Sequence, residues 1–366
     1  MIDEIRLYAF KRFGSLELKF SPLTVLTGIN GSGKTSVIQG MLLLYEAQRA
    51  GSSVVRLNGP FGLELGTADD VRNWSADADG VIGVSVRVGG DSYDWDFKVP
   101  GGDSLFLHVL KSPEESPVAF SASPRALTYL CADRIGPRAG IPSSALPAEE
   151  LEVGSRGEYC AQMLAVFGNT LLNGRSHPEK KEGESELFKY EVEKWIGEIA
   201  RPIEIDAEQF PGPMVSALRF RQPGGEWVRA TNMGYGISYA LPIIVGGLTA
   251  LSGGIVLVEN PEAHLHPAGQ SRIGAFLAWL SAQGVQVVLE THSDHVLNGI
   301  RLAIAKFKYA RSDDAIIHYF DEDEVLGPFV QTLRISEAGG VSDWPTGFFD
   351  QYQMDVASLG RIRRQG

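Results

Sequence analysis

Eight residues near the N-terminus, Gly28-Ile29-Asn30-Gly31-Ser32-Gly33-Lys34-Thr35, hold the densest chemistry in the sequence. They satisfy the pattern G-x-x-x-x-G-K-[ST] at every fixed position. Their flanks agree: Leu23-Thr24-Val25-Leu26-Thr27 predicts a short apolar strand running into the glycines, and Val37 to Leu44 predicts a helix leaving them. A strand, a glycine loop and a helix start make an anion site, because backbone N–H groups and the helix dipole point at phosphate. Asn30, Gly31, Ser32, Gly33, Lys34, Thr35 and Ser36 are therefore expected to line a bound nucleotide, ATP. Lys34 would reach the β- and γ-phosphates, and the Thr35 hydroxyl would hold Mg²⁺. The competing explanation is a chance match in a chain with 42 glycines, and it leaves the flanks unexplained.

Binding phosphate is not hydrolysing it, which needs acids and a sensor. Ile255-Val256-Leu257-Val258 is a β-branched apolar run ending in Glu259, a Walker B pattern that sets a carboxylate at a strand end near Mg²⁺. Glu262, three residues on, can polarise the attacking water. A second apolar run, Val285 to Leu289, ends in Glu290-Thr291-His292-Ser293, and His292 at its tip is a candidate γ-phosphate sensor. Each residue alone is weak evidence, since acids often cap strands. Their order and spacing after a phosphate loop make the set.

The elements that must position these groups alternate between helix and strand. From residue 231 onward the pattern is helix (to about Ala250), strand, helix (about 268–282), strand, helix, which implies a mainly parallel sheet with its site at the strand C-termini. Residues 1–27 suggest two or three strands. Lys11 and Arg12 lie in the turn between them and have two readings, a nucleotide contact and a solvated turn. The stretch 51–230 has a different texture. Val84 to Val88 and Tyr93 to Phe97 alternate about Gly89-Gly90-Asp91 as a hairpin. Phe106 to Leu110 and Leu127 to Leu130 predict strands, Pro113 to Pro124 a polar loop, and helices are expected over about 157–173 and 184–199. No heptad or internal repeat is present, which excludes a long coiled-coil arm.

The chain has 366 residues, 44% of them hydrophobic and 21% charged, the composition of a soluble globular protein. No apolar run reaches the roughly 18–20 residues of a membrane span, so no membrane partner is expected. The N-terminus lacks the basic and apolar regions of a signal peptide. Cys131 and Cys160 have no metal-ligand spacing and suggest reduced thiols in a cytoplasmic protein. A net charge of −12 argues against coating nucleic acid with the whole surface, though not against a local basic groove.

With these motifs together, the chain resembles an ABC-type ATPase head of the SMC/RecF/OLD class, in the AAA-type branch of stand-alone bacterial ATPases. The resemblance rests on Gly28 to Thr35, Asn232 to Ser238, Val258 to His266 and Glu290 to Ser293. The segment Asp343 to Asp350 resembles a short tail domain of unknown function found on such proteins. The fold implied is an α/β P-loop NTPase, an ABC/SMC-like head with a mainly parallel sheet, N-terminal antiparallel strands and a β-rich and helical insertion. Its parts would be an ATPase lobe with Walker A (1–50), an insertion and helical lobe (51–230), a lobe with signature, Walker B and His switch (231–320), and a tail (321–366). By resemblance, Gly234, Gly236 and Ser238 form a signature motif that reaches the γ-phosphate of a nucleotide held by a second subunit. The working unit would be a homodimer sandwiching two ATP molecules. It would gate a nuclease or toxin effector, or act on DNA, in antiphage defence or DNA transactions. Two departures stand out. The class carries Asp-Glu at the Walker B end, whereas this chain has Glu259-Asn260; asparagine cannot act as a base, so Glu262 takes that role or hydrolysis is slow. The glutamine loop has no clear counterpart, because Gln39 lies inside the first helix.

Other readings compete. A non-hydrolysing nucleotide switch is the nearest. A metallohydrolase built on His264-x-His266 and His292-x-x-His295 with Glu259, Glu262 and Asp294 leaves the phosphate loop unused. A fused nuclease could use Asp321-Glu322-Asp323-Glu324, but such a domain needs on the order of 100 residues, and fewer follow His292. Those acids are expected in a solvated turn. Arg134 and Arg138 have two readings, a nucleotide-state sensor or effector contact and structural ion pairing. Trp344, Phe348 and Phe349 are expected to pack the tail on the head, and Arg361 to Arg364 have two readings, a contact to nucleic acid or a partner and the commoner loose terminus.

Overall fold

A computed structural model describes residues 1–366 except 60–61, 77–79, 173, 324–326, 344, 346–353, 357, 360 and 362–366. Strands β1 (Glu4–Phe10), β2 (Phe13–Lys19) and β3 (Leu23–Gly28) lead into helix α1 (Lys34–Ala50). After them come β4 (Val54–Arg56), the single turn α2 (Ala68–Val71), β5 (Val81–Val88), β6 (Asp91–Lys98), β7 (Phe106–Lys111) and β8 (Leu127–Leu130). The middle adds β9 (Ile141–Pro142), α3 (Cys160–Phe167), α4 (Phe188–Ile199), β10 (Glu204–Phe210), β11 (Val215–Arg221) and β12 (Val228–Arg229). The last third holds α5 (Tyr235–Thr249), β13 (Ile255–Glu259), α6 (Pro267–Ser281), β14 (Gln286–Glu290), α7 (Asp294–Ala305), β15 (Ala315–Asp323) and β16 (Gly327–Arg334).

The sheet that carries the P-loop has the order β16-β15-β3-β14-β13-β8. All its pairings are parallel except that of the edge strand β16. Strands β13 and β14 are buried along their whole length, as expected of apolar runs covered on both faces. Alternate side chains enter two different cores. Val25, Val256, Val258, Val287 and Leu289 face a core shared with helices α3 to α7. Leu26, Ile255, Leu257 and Val288 face a second core shared with α1 and the antiparallel sheet β2-β1-β5-β6-β7-β4. Burying each such side chain stabilises the fold by about 1.5–3 kcal/mol. A third sheet joins β10, β11 and β12, with β9 against β11. The stretch 51–230 is thus shared among all three sheets.

Several local expectations changed. The helix predicted over 157–173 forms only at Cys160–Phe167, because Gly157 has φ 75° at one end and the chain leaves the helix at Gly168. Helix α4 starts at Phe188, later than predicted. The segment 113–124 is not simply a polar loop: its short helical turn buries Phe120 against Trp95, ring centroids 5.9 Å apart. The hairpin β10–β11 has no clear signal in the sequence. Asp321 to Asp323 end strand β15 instead of forming a turn, while Glu324 lies outside the described residues. The expected packing of Trp344, Phe348 and Phe349 also lies outside the described residues, as do residues 362–364.

Candidate nucleotide site

Strand β3 and helix α1 hold the P-loop between them, and β15 forms its wall. Gly28 has φ 134°, and a Cβ there would collide with the Phe320 carbonyl on β15. The same carbonyl accepts the Ile29 N–H at 3.2 Å. No side chain caps the N-terminus of α1, where the Ser36 N–H donates to the Gly33 carbonyl at 3.1 Å and the N–H groups of Lys34 and Thr35 face the position of an anion. Lys34, only 3% exposed, donates to the carbonyls of Ile29 (2.6 Å) and Gly28 (3.2 Å). Burial lowers its pKa, against an opposing pull from Glu290. Ser32 Oγ donates to Ile29 O at 2.8 Å. An open cavity of about 570 Å³ in front of the loop is lined by Arg12, Asn30, Gly31, Gly33, Lys34, Thr35, Ser36, Gln39, Glu290 and His292, with Lys11 at its edge.

Parallel pairing brings the two strand-end acids level, because Glu259 of β13 is in register with Glu290 of β14. Glu290 meets the loop. Its carboxylate accepts the Thr35 hydroxyl at 2.8 and 3.1 Å. Burial first, and then the neighbouring charges of Glu259 and Glu262, push its pKa up to about 7. Glu259 lines a neighbouring cavity with Thr35 but is already engaged: Oε1 accepts the Tyr129 hydroxyl at 2.9 Å and Oε2 the Ala132 N–H at 3.2 Å. Burial raises its pKa too. In the sequence Glu290 belongs to the Glu290-Thr291-His292-Ser293 motif without a role of its own. The available signal was its place at the end of a second buried run.

Glu262 and His292 come together at the same rim. Glu262 accepts the Thr291 hydroxyl (2.8 Å) and the His292 N–H (2.9 Å). The His292 ring lies 4.0 Å from Glu290, and its pKa is lowered by burial and by Lys34. Asn260, the departure from the Asp-Glu pair, adopts φ 44°, a conformation that asparagine tolerates better than most residues. It sends the chain out of β13 toward Glu262, with its N–H on the Glu290 carbonyl at 2.9 Å.

Arg12 sits at the mouth. It donates to the Gly31 carbonyl and forms an ion pair with Glu322 of β15 at 2.8 Å. Lys11 donates to Gln39 at 2.6 Å, so Gln39 lines the cavity from within α1. Gly234, Gly236 and Ser238 open α5, with Gly234 as its N-cap. Tyr235 beside them is 56% exposed. Among the described residues, no hydrogen bond or ion pair joins Gly234 to Ser238 with the P-loop of the same chain. Among the described residues no group of three or more His, Cys, Asp or Glu side chains converges as a metal site. His266 instead caps α6, accepting the Ala268 N–H at 3.3 Å. No described helix is long and apolar enough to cross a membrane.

Residues 142–298 match the family described as "AAA domain, putative AbiEii toxin, Type IV TA system". Residues 311–359 match "Protein of unknown function (DUF3696)". No curated protein matches the chain. Among solved structures, the chain is similar to an SMC head bound to the C-winged helix domain of ScpA, with a TM-score of 0.56 at 14% identity, covering 92% of this chain and 98% of that one. It is also similar to an SMC head with an extended coiled coil, bound to the C-terminal domain of ScpA derived from Pyrococcus furiosus. That likeness has a TM-score of 0.53 at 13% identity and covers 99% of both chains. The chain therefore has the P-loop fold of an SMC head, and its residues 142–298 are similar to the AAA-domain family.

Proposed function

We propose that the chain binds Mg·ATP at the P-loop, hydrolyses it slowly and pairs with a second copy through the bound nucleotides. The observation that carries this reading is the contact of Thr35 with Glu290 beside Lys34 and His292. It unites the loop, a strand-end carboxylate and a candidate sensor at one cavity. Lys34 would exchange its loop carbonyls for the β- and γ-phosphates, a stronger charge-assisted contact. The donors near Thr35 are a hydroxyl and the carboxylates of Glu290 and Glu259, an all-oxygen set that suits Mg²⁺. Mg²⁺ bound there would neutralise charge on the phosphate oxygens. Glu262, oriented by Thr291 and the His292 N–H, would take a proton from the attacking water, and His292 would donate a hydrogen bond to the γ-phosphate. Asn260 leaves no adjacent second acid, which fits a slow rate.

The signature residues Gly234, Gly236 and Ser238 lie on an exposed helix start, which supports a role across a dimer. A protein partner is supported by the solved SMC heads, which were captured with ScpA. A setting in antiphage defence is supported by a family described in toxin–antitoxin terms. The effector would be a nuclease or toxin, with DNA as a further partner. Titration calorimetry with Mg·ATP, alongside phosphate release, tests the core of the reading. Micromolar binding with slow phosphate release is expected; no binding by the folded protein would overturn it.

A further inference from the structure

Arg134 is 1% exposed and belongs to no step above. Its guanidinium donates to the carbonyls of Cys131 (2.8 Å), Glu259 (2.7 Å) and Asn260 (2.7 Å). Its Nε is buried with no partner among the described residues. A buried charge whose hydrogen bonds all go to carbonyls is costly, and a planar fork across three of them fixes their spacing. Two of those carbonyls begin the turn that carries Glu259 and Glu262. That turn contains two non-glycine residues with left-handed backbone, Asn260 (φ 44°) and His264 (φ 60°). Conformations of this kind persist where the surroundings impose them, and they cluster at switch regions.

The other face of Arg134 meets α5. Its guanidinium lies 5.3 Å from the centre of the Tyr239 ring. Tyr239 packs on His264 at 4.5 Å, and Tyr235 on His264 at 5.2 Å. A Cβ on Gly236 would stand 2.8 Å from the His264 carbonyl, so α5 rests directly on the turn. Gly136, two residues after Arg134, is tucked beneath the Tyr235 ring. A continuous packed path thus runs from the Glu259 carbonyl through Arg134, Tyr239 and His264 to exposed Tyr235.

We propose that Arg134 is a positioning residue that couples the Glu259–His264 turn to the exposed start of α5. Nucleotide at the P-loop then changes the surface that a second subunit meets. This rests on the nucleotide reading above and adds the residue that links the two halves of one chain. The coupling is physical: the turn and the helix share one cation and one aromatic stack, so neither can shift alone.

Hydrogen exchange of the full chain tests it, with and without Mg·ATP, at a dilution where light scattering reports monomer. In the wild type, Mg·ATP should slow exchange at residues 29–36 and also at 235–241, the latter by about fivefold or more. Arg134→Lys keeps the charge but loses the fork. Tyr239→Leu keeps the fork but loses the ring. Both should retain the response at 29–36 and lose it at 235–241. An undiminished response at 235–241 in both variants overturns the coupling. Loss of the response at 29–36 in the variants makes Arg134 a support of the whole fold and also overturns it. No response at 29–36 in the wild type would defeat the nucleotide reading itself.

Discussion

The hydroxyl of Thr35 donates to the carboxylate of Glu290 at 2.8 Å, across 255 residues of sequence. This pins the first turn of α1 to the end of β14 and makes Glu290 the strand-end acid nearest the loop. Glu290→Gln should therefore raise the Mg²⁺ concentration needed for ATP turnover by about 10- to 100-fold. Glu259→Gln should also raise the Mg²⁺ requirement, but less, because Tyr129 and Ala132 occupy its oxygens. A Mg²⁺ titration of phosphate release checks both, and the reverse order would return the principal role to Glu259.

Lys34→Ala removes a charge directed at phosphate and two hydrogen bonds to loop carbonyls, but no apolar core contact. Losing a charge-assisted hydrogen bond costs about 1.5–3 kcal/mol, so ATP affinity should fall roughly 10- to 100-fold with the melting temperature little changed. Calorimetry decides this.

Glu262→Gln should leave ATP binding intact and slow hydrolysis by about 10²–10⁴-fold, the usual loss for a positioned base. The variant should accumulate in an ATP-bound form on size-exclusion chromatography. Hydrolysis at the wild-type rate would move the base elsewhere.

The shared site has a sharper test. Lys34→Ala and Ser238→Arg proteins should each be inactive alone. Mixed equally with free exchange, about half the dimers are mixed pairs, each with one intact composite site. About a quarter of wild-type activity should then return. Lys34→Ala mixed with Glu262→Gln should recover nothing, since both residues sit in the same half-site. Recovery there would refute the role of Gly234 to Ser238.

Acid stability should report His318. Its Nε2–H donates to the Lys19 carbonyl at 2.7 Å and its Nδ1 accepts the Thr332 hydroxyl at 3.1 Å, so the neutral ring fits. Burial lowers its pKa to about 4. The unfolded chain protonates near pH 6.5 and the folded one only near 4, so stability falls as pH drops through that window, by about 3 kcal/mol in all. His318→Gln should be less stable at pH 7 but should lose this share of the pH dependence in urea melts. An unchanged slope between pH 6.5 and 4 would rule the residue out as its source.

What the sequence made legible was what is local in it. The P-loop is contiguous, and the apolar runs of β13 and β14 announce themselves by length and β-branching. Glu290 acquires its meaning only from register with Glu259 and from β14 lying beside β3, which no short pattern encodes. Tyr129 is obscure in sequence for the same reason, and Arg134, which the sequence does single out, shows its partners only in the fold. In β10 the acids Glu204, Asp206 and Glu208 alternate with only one buried apolar residue, Ile205, which masked a strand. Asn260 seemed a catalytic departure in sequence; its left-handed backbone gives that residue type a local cause.

The wall of the P-loop has a consequence for biosynthesis. Strand β3 is flanked by β14 and β15, and Phe320 supplies the carbonyl that seats Gly28 and Ile29. On a ribosome the loop emerges well ahead of these neighbours, which follow some hundreds of residues later. The growing chain must keep an apolar strand unpaired until those strands emerge, a delay that favours slow folding and exposure to chaperones. Nascent chains released before Phe320 should lack a finished loop and fail to be retained on immobilised ATP, whereas chains extended past Arg334 should be retained.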